Sequence, residues 1–322
     1  MNKSFITGFF IFGLMATSAV AQGTEPDVGV EVECTTVTIK SPDGCLAASE
    51  FLKINDRAEV SVDHIRVGND NQPSNRALDI GSNAVVEALM IDVIGTVFDR
   101  NTDITVSQLR FKRYIEGFSL VTQNNNLTPD YLRSKIETVP NLPSVEITTR
   151  EITTGTTNYT LEANTTRTLV PGRYGEVIVR GQAELRLSGG GEYTFKRLII
   201  EDAATFMLED NSVKHTLLVD KEFRWGDRIS TRHFPNSLTV YTNHGNPSDS
   251  TTQMGDLSIN GNFTGKLYAP YAKVVLGNGK IYKGCLFAKN IELHQDSEIT
   301  GTNVETKRVC ECKIIEPVNN GI

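Results

Sequence analysis

The sequence has few of the features that mark a nucleic-acid-binding or membrane-docking protein. It has a single tryptophan in 322 residues, and its 32 lysines and arginines are scattered and form no basic run. Nucleic acids and anionic membranes are bound through clustered basic residues, and the chain lacks such a cluster. Its formal net charge is −7. The sequence therefore does not indicate either class of partner.

Metal, nucleotide and hydrolase motifs are also missing. The histidines are widely spaced and form neither an HxH nor an HExxH pattern. No loop alternates Asp, Asn and Gly as a calcium loop does. There is no GxSxG nucleophile elbow and no phosphate-binding glycine loop. We therefore expect no metal and no cofactor.

The first 21 residues have the form of a secretory signal peptide. Lys3 supplies the positive start, an apolar run follows over residues 5–16, and Ala19-Val20-Ala21 is a small-residue cleavage site. Cleavage before Gln22 removes the one charge of the leader, so the mature net charge is −8, or −7 less one. The apolar run is shorter than the roughly 20 residues that cross a bilayer, and no second such run follows. The sequence predicts a protein secreted to the periplasm or cell surface, without a transmembrane anchor.

Five cysteines remain after this processing, and export permits disulfides. Cys285 is expected to be a free thiol in or near the core, where cysteine behaves as a small apolar residue. The other four are candidates for two disulfides, and three connectivities can be drawn. Pairing Cys34 with Cys45 is the local choice. The alternative ties the N-terminal segment to Cys310 and Cys312 in the C-terminal tail.

A short repeat near the C-terminus is the strongest structural signal. Residues 263–269 read FTGKLYA and residues 282–288 read YKGCLFA, an offset of 19 (284 minus 265). Aromatic, glycine, leucine, aromatic and alanine positions recur. One copy is too short to bury its own apolar face, so the copies must stack on each other. The pattern predicts a solenoid of β-strands.

Short apolar runs punctuated by Gly, Asn, Asp and Ser fill most of the chain, which is typical of strands and turns. They return at intervals of about 20 residues, and Ile178, Ile199 and Leu218 form one such series. The fold expected is all-β, a right-handed parallel β-helix of about 20 residues per turn. Residues 22–121 show the same pattern less regularly and are expected to form early turns.

A different stretch separates the two β regions. Thr128 and Pro129 have the form of a helix start, which predicts a short helix to about Ile136. We interpret residues 122–167 as a linker or side excursion that can pack across one flank of the coil. The main β-helix domain is then expected over 168–305, and a cysteine-bearing tail over 306–322.

Several motifs together resemble a known module. The residues that carry the resemblance are Leu169-Val170-Pro171-Gly172-Arg173-Tyr174-Gly175, Leu187-Ser188-Gly189-Gly190-Gly191-Glu192-Tyr193-Thr194-Phe195, Tyr268-Ala269-Pro270-Tyr271-Ala272 and Gly284-Cys285-Leu286-Phe287-Ala288-Lys289. They resemble the functionally uncharacterised right-handed parallel β-helix module of exported bacterial surface and pilin-like proteins, over about residues 168–300. The resemblance implies a β-helix in a bacterial envelope setting and brings no catalytic residues. Tyr271 and Cys285 depart from its usual pattern.

The densest polar cluster lies at residues 220–233. Asp227, Arg228 and His233, with Trp225 as a stacking platform, are candidates to line a groove for an acidic polysaccharide, where a cation neutralises the sugar acid and a base takes a proton. The simpler interpretation is a solvated loop between two turns. We favour the loop, because nothing in the sequence holds these side chains in mutual hydrogen-bond geometry.

Aromatic residues surround the repeat. Tyr268 and Tyr271 are the candidates for a ligand-binding stripe, and Phe263, Tyr282 and Phe287 accompany them. Such residues more often stack in register along a solenoid, and we favour packing.

The function expected is a non-catalytic structural or interaction scaffold of the bacterial cell envelope or surface. Its partners are envelope polymers, pilus or surface components, or further copies of itself. The alternatives are a polysaccharide lyase or hydrolase, or a glycan-binding β-helix, each using the 220–233 loop.

Overall fold

The computed structural model describes residues 30–40, 45–68, 77–95, 97–99, 103–111, 136–138, 144–232, 236–248, 256–301 and 304–314. This part of the chain contains strands and turns but no helix, which confirms the all-β prediction. No helix in it is therefore long and apolar enough to span a membrane. The predicted signal peptide, residues 1–21, lies outside the described residues, as does His233.

The strands of the N-terminal half are β1 (Val30–Lys40), β2 (Leu46–Ile54), β3 (Glu59–Val67), β4 (Leu78–Ile80), β5 (Val85–Val93), β6 (Val97–Asp99), β7 (Asp103–Phe111) and β8 (Ile136–Thr138). Those that follow are β9 (Tyr159–Leu161), β10 (Thr166–Leu169), β11 (Gly172–Val179), β12 (Glu184–Leu187), β13 (Gly191–Ile200), β14 (Thr205–Leu208), β15 (His215–Trp225), β16 (Ser230–Arg232), β17 (Leu238–Thr242), β18 (Leu257–Ile259), β19 (Phe263–Leu276), β20 (Ile281–Leu293), β21 (Glu298–Gly301) and β22 (Val304–Ile314).

The chain divides into two units, residues 1–38 with 306–322 and residues 39–305. In the first unit, β1 and β22 pair as a two-stranded sheet. Cys34 lies on β1, and Cys310 and Cys312 lie on β22; their side chains are outside the described part of the structure. The pairing of these three cysteines therefore remains a prediction.

Two parallel sheets make up the second unit. The smaller joins β10, β12, β14 and β16 in that order. Along the chain its strands alternate with β9, β11, β13 and β15 of the larger sheet, so the polypeptide passes repeatedly from one sheet to the other. Each strand pairs in parallel with the equivalent strand of the next pass, for example β11 with β13. This arrangement explains why the apolar runs of the sequence are short and numerous.

The C-terminal repeat aligns as the sequence predicts. Gly265 lies opposite Gly284 and Leu267 opposite Leu286 on the parallel strands β19 and β20. The longer series is only half right, because Ile178 lies opposite Ile199 but Ile199 lies opposite Arg224. The step from β13 to β15 is longer than the expected 19 residues: Thr194 lies opposite Leu218, an offset of 24 (218 minus 194), and the offset is 25 (224 minus 199) after a one-residue register shift between Phe195 and Arg197.

The N-terminal strands extend the same large sheet, but not at the end that chain order suggests. β20 pairs with β19 on one side and with both β2 and β21 on the other. β3, β5, β7 and β8 then continue outward from β2 and β21. The chain thus enters the sheet near its middle at β2 and continues outward as far as β8. It resumes at the opposite edge with β9 and continues inward to β20 and β21.

Alternating side chains fill the interior. β19 and β20 place Phe263 and Tyr282 in the core with their rings stacked 5.0 Å apart, and Leu267 and Leu286 lie beside them. One continuous buried apolar cluster extends from β2 to β21 through both halves of the chain. The inward side chains of each strand are therefore buried against the inward side chains of the neighbouring strands.

The region between the two halves differs from the expectation at its ends. Ile136, expected to end a helix, begins strand β8, and the rest of that predicted helix lies outside the described residues. β9 and the first residues of β10 fall within the expected linker, 122–167, but already pair with β11 and β12. The boundary of the paired region therefore lies near Tyr159.

Candidate functional site

Trp225 ends strand β15 and is completely buried. Its indole N–H donates to the backbone carbonyl of Asn262 at 3.1 Å. The rings of Phe206 and Phe263 meet it edge-on, with centroids 5.5 and 5.1 Å away. Because both faces of the indole are enclosed by the core, the suggestion that Trp225 is a sugar-stacking platform is wrong.

Asp227 and Arg228 occupy the turn after β15. The Lys280 ammonium donates to Asp227 Oδ1 at 2.7 Å, and this hydrogen bond, followed by one from the Arg228 backbone N–H, lowers the pKa of the carboxyl. The Arg228 side chain is largely exposed and its Nε lies 4.0 Å from Asp227 Oδ2. A carboxylate paired with lysine is a weaker base than a free one, so this turn lacks a poised general base.

The aromatic residues of the repeat fall into two groups. Phe263 and Tyr282 belong to the core, whereas Tyr241, Tyr268 and Phe287 stack face to face on the opposite side of their strands. Centroid separations in this second group are 4.6 and 4.4 Å. The packing that we favoured from the sequence is confirmed for both groups. We call Tyr241, Tyr268 and Phe287 the aromatic ladder.

Tyr271, the other candidate for a ligand-binding stripe, is not part of the aromatic ladder. It lies where the register between β19 and β20 shifts, between Ala269 and Lys273. The side chain is half-buried. Tyr268 and Tyr271 therefore do not share one flat face.

Residues 144–158, which we call the strap, run along the aromatic ladder. The Val145 N–H donates to the carbonyl of Gly68, next to β3. The Arg150 guanidinium lies 4.5 Å over the Tyr241 ring centroid, and the Gly155 N–H donates to Tyr174 on β11. These contacts place residues 145–155 against the strands of both halves of the chain. The strap covers part of the stripe that a ligand would need.

A charged cluster that the sequence did not reveal lies farther along the same column of residues. Asp92 is opposite Arg66 on one neighbouring strand and Arg110 on the other. Its carboxylate accepts from His64 Nε2 at 2.9 Å and from two nitrogens of Arg110 at 2.6 Å each. Burial raises the pKa of Asp92, but the hydrogen bonds from His64 and Arg110 outweigh it and the pKa is lowered. The carboxylate therefore stays ionised and joins three strands.

A carboxylate can orient an imidazole for acid–base chemistry, but such a pair also needs a substrate space beside it. A groove of about 580 Å³ in the described region is lined by none of His64, Asp92 and Arg110. Its lining residues are Ser61, Val62, Asp63, Leu89, Asn236, Lys283, Gly284, Thr300 and Gly301. We therefore regard the His64–Asp92–Arg110 cluster as a structural charge network. The regular register of the strands brings its members together, and the sequence contains no short motif that indicates the cluster.

A second charge network joins the two halves of the chain. The Glu292 carboxylate on β20 accepts from Lys53 at 2.8 Å, Lys273 at 2.8 Å and Asn55 at 3.2 Å. Burial raises the pKa of Glu292, but these three hydrogen bonds prevail and lower it to about 2. Because Lys53 and Asn55 come from the N-terminal half, Glu292 ties β2 to the C-terminal half.

The disulfide of the described region joins Cys45 and Cys285. The sequence placed Cys45 among the candidates for a disulfide but expected Cys285 to be a free thiol, and the expectation for Cys285 is wrong. The local pairing of Cys34 with Cys45 is wrong as well, because the sulfur of Cys45 is bonded to Cys285. Both residues are buried: Cys285 lies on β20, and Cys45 directly precedes Leu46 of β2, which is paired with Leu286. Parallel pairing of segments distant in sequence created this contact.

Among the described residues, no group of three or more His, Cys, Asp or Glu side chains is arranged to hold a metal ion. Comparison with known proteins adds no assignment. No protein-family model, curated protein or solved structure matches the chain.

Proposed function

We propose that the protein is an exported, non-catalytic scaffold of the bacterial cell envelope or surface, built on a right-handed parallel β-helix. The continuous parallel sheet, with an interior filled by stacked side chains, is the observation that supports this most. Repeated stacking gives a stiff body whose stability grows with the number of neighbouring layers. Such a body suits the presentation of surfaces and loops.

The polar residues of the described region favour a structural role. Glu292 is engaged by three donors, Asp227 by Lys280, and Asp92 by His64 and Arg110. Catalysis needs groups that are free to exchange protons or charge with a substrate. In these networks the charges instead stabilise contacts between strands.

The proposed setting rests on the sequence. A signal-peptide pattern in residues 1–21 and the resemblance over about residues 168–300 both point to export by a bacterium. The partners proposed are envelope polymers, pilus or surface components, or further copies of the chain. No transmembrane anchor is required.

Cell fractionation tests the location. We expect the mature protein, detected by antibody in the native host, in the periplasmic or surface fraction with Gln22 as its first residue. Recovery of the uncleaved chain from the cytoplasm would refute export. A cytoplasmic protein of the same host serves as the control for leakage between fractions.

An activity screen tests the non-catalytic assignment. Pectate, alginate and related acidic polymers are incubated with the protein and with Asp227→Ala and Arg228→Ala variants. We expect no cleavage by any of the three. Cleavage by the parent that both variants lose would establish the polysaccharide lyase or hydrolase instead, and binding on a glycan array without cleavage would establish the glycan-binding module.

A further inference from the structure

The strap is exposed and lightly held at its centre. Four consecutive residues, Thr148, Thr149, Arg150 and Glu151, are exposed. Between Val145 and Gly155 its backbone makes no hydrogen bond to any other described residue. Arg150 makes its contacts through its side chain, which lies over the Tyr241 ring and 3.8 Å from the Glu192 carboxylate. Thus the peptide bonds of 148–151 are not protected by strand pairing.

The strap is also nearly fully extended. From Gly68 beside β3 to Tyr174 on β11 the sheet runs through β2, β20, β19, β17, β15 and β13, which makes seven steps between strands. At about 4.8 Å a step this is about 34 Å. The ten residue steps from Val145 to Gly155 reach about 33–36 Å when fully extended. Peptide-binding proteins commonly take such extended, unpaired backbone as an added strand, and exposed segments of this kind are preferred sites of proteolytic nicking.

Cutting the strap would not release either half of the molecule. Strands β2–β8 precede it and β9–β21 follow it. The two sets remain joined by the parallel pairs β2–β20 and β3–β21 and by the buried Cys45–Cys285 disulfide. The Lys53–Glu292 ion pair adds a further contact across the same boundary. A cut chain would therefore keep its sheet and its covalent connection.

We propose that the strap is a proteolytic processing site, cut between Arg150 and Glu151 to give a two-chain, disulfide-linked molecule. The co-reactants are water and an endopeptidase that cleaves after arginine. Water adds across the C–N bond, leaving a carboxylate on Arg150 and an amino group on Glu151. The cut frees the strap to leave the Tyr241 ring. This proposal does not depend on the scaffold function and can fail without it.

The test compares two exposed basic residues. Arg150 is exposed on the unpaired strap, whereas Lys283 is exposed on strand β20 and is paired with Thr264 and Thr300 on the two neighbouring strands. The full-length mature protein is treated with trypsin at low ratio, and mass spectrometry follows the initial rates of cleavage after each residue. We expect cleavage after Arg150 to be at least about a hundredfold faster, because a site on a paired strand is cut only after local opening. Comparable rates would overturn the proposal.

Two variants complete the experiment. Arg150→Gln should abolish the cut between residues 150 and 151 while leaving the circular dichroism spectrum unchanged. In denaturing gels the cut parent should run as one linked species until it is reduced. The cut Cys34→Ser/Cys285→Ser variant, which also lacks any bond from Cys34 to the C-terminal tail, should separate into two chains without reduction. Separation of the unreduced parent, or linkage that persists in the double variant, would contradict the two-chain form held by Cys45 and Cys285. Size exclusion under native conditions should give one peak for parent and variant alike; dissociation of the cut parent would contradict the proposal as well.

Discussion

Cys45 and Cys285 are 240 residues apart in sequence, yet their Cα atoms lie 4.4 Å apart and their sulfurs are bonded. The bond joins neighbouring segments of the large sheet where its N-terminal strands meet its C-terminal ones. It therefore reports a fold in which strands β2 and β20, far apart in sequence, belong to one sheet. The covalent link and the parallel ladder on each side of it reinforce the same contact.

Removing this link should reduce stability. A cross-link that closes a loop of 240 residues restricts the unfolded chain, and the chain-entropy relation gives a stabilisation of about 5 kcal/mol at 25 °C. We expect a Cys45→Ser/Cys285→Ser double variant to lose about 3–5 kcal/mol in urea unfolding. The Cys34→Ser variant, which keeps the Cys45–Cys285 bond, shows the effect on stability of replacing a cysteine elsewhere in the chain. An unchanged midpoint in the double variant would show that the bond does not form.

Neutralising Glu292 should destabilise the boundary between the two halves. Glu292→Gln leaves Lys53 and Lys273 without their shared carboxylate, and a hydrogen bond to a charged group contributes about 1.5–3 kcal/mol. We expect a loss of about 2 kcal/mol at neutral pH, measured by chemical denaturation. Glu59→Gln, at an exposed position of β3, should change stability by less than about 0.5 kcal/mol.

The pH dependence of Glu292 has a defined sign. Its pKa in the folded protein is about 2, below the ordinary 4.5, so its stabilisation is fully present above 4.5 and is lost as pH falls toward 2. We expect the free energy of unfolding of the parent to fall through this window more steeply than that of Glu292→Gln. Parallel curves for the two proteins would contradict the assignment.

A second acid effect should occur nearer neutrality at His215. The ring is completely buried, stacks on Tyr193, and neither nitrogen has a hydrogen-bond partner within bonding geometry. Burial lowers the pKa of His215 below 6.5, although the carbonyls of Val213 and Ser237 and the charge of Asp210 oppose this. The change of stability with pH therefore has the opposite sign to that of a histidine paired with a carboxylate, because protonation of His215 favours the unfolded chain. Stability should decline as pH falls below about 6.5, and His215→Phe should show a flatter profile between pH 7 and 5.

Gly284 should tolerate no side chain. Its φ is +135°, and a Cβ there would overlap the carbonyl oxygen of Gly265 on the neighbouring strand. We expect Gly284→Ala to cost at least about 3 kcal/mol, from strain and displaced strands together. Gly279→Ala is the matched control, because Gly279 also has a positive φ of 63° but open space around it, and about 1 kcal/mol is expected there. Thermal melts of the two variants measure the difference.

The lone tryptophan offers an optical test of its burial. Trp225 in the core should fluoresce at short wavelength and resist quenching by acrylamide until the protein unfolds. Trp225→Ala should cost about 3–5 kcal/mol as a large-to-small core substitution. Red-shifted, readily quenched emission from the native protein would restore the surface role that the sequence suggested.

The residue pattern was enough to predict an all-β protein and, in the C-terminal repeat, the register of two neighbouring strands. The 19-residue offset between Gly265 and Gly284 reproduces the strand pairing directly, because a parallel stack places equivalent residues of successive passes opposite each other. Even so, the step from β13 to β15 is 24 residues (218 minus 194, for Thr194 and Leu218) rather than 19, and the predicted series of Ile178, Ile199 and Leu218 failed there.

The segments that meet across long distances in sequence became visible only in the folded chain. Pairing of β20 with β2 brought Cys45 to Cys285 and Lys53 to Glu292, and pairing of β3, β5 and β7 gathered His64, Asp92 and Arg110. These contacts depend on which strands of the N-terminal half pair with each other and with β20. A short repeat in the sequence indicates the spacing between neighbouring strands, but it does not indicate which distant strands pair. Strands of similar apolar composition can pair with one another equally well.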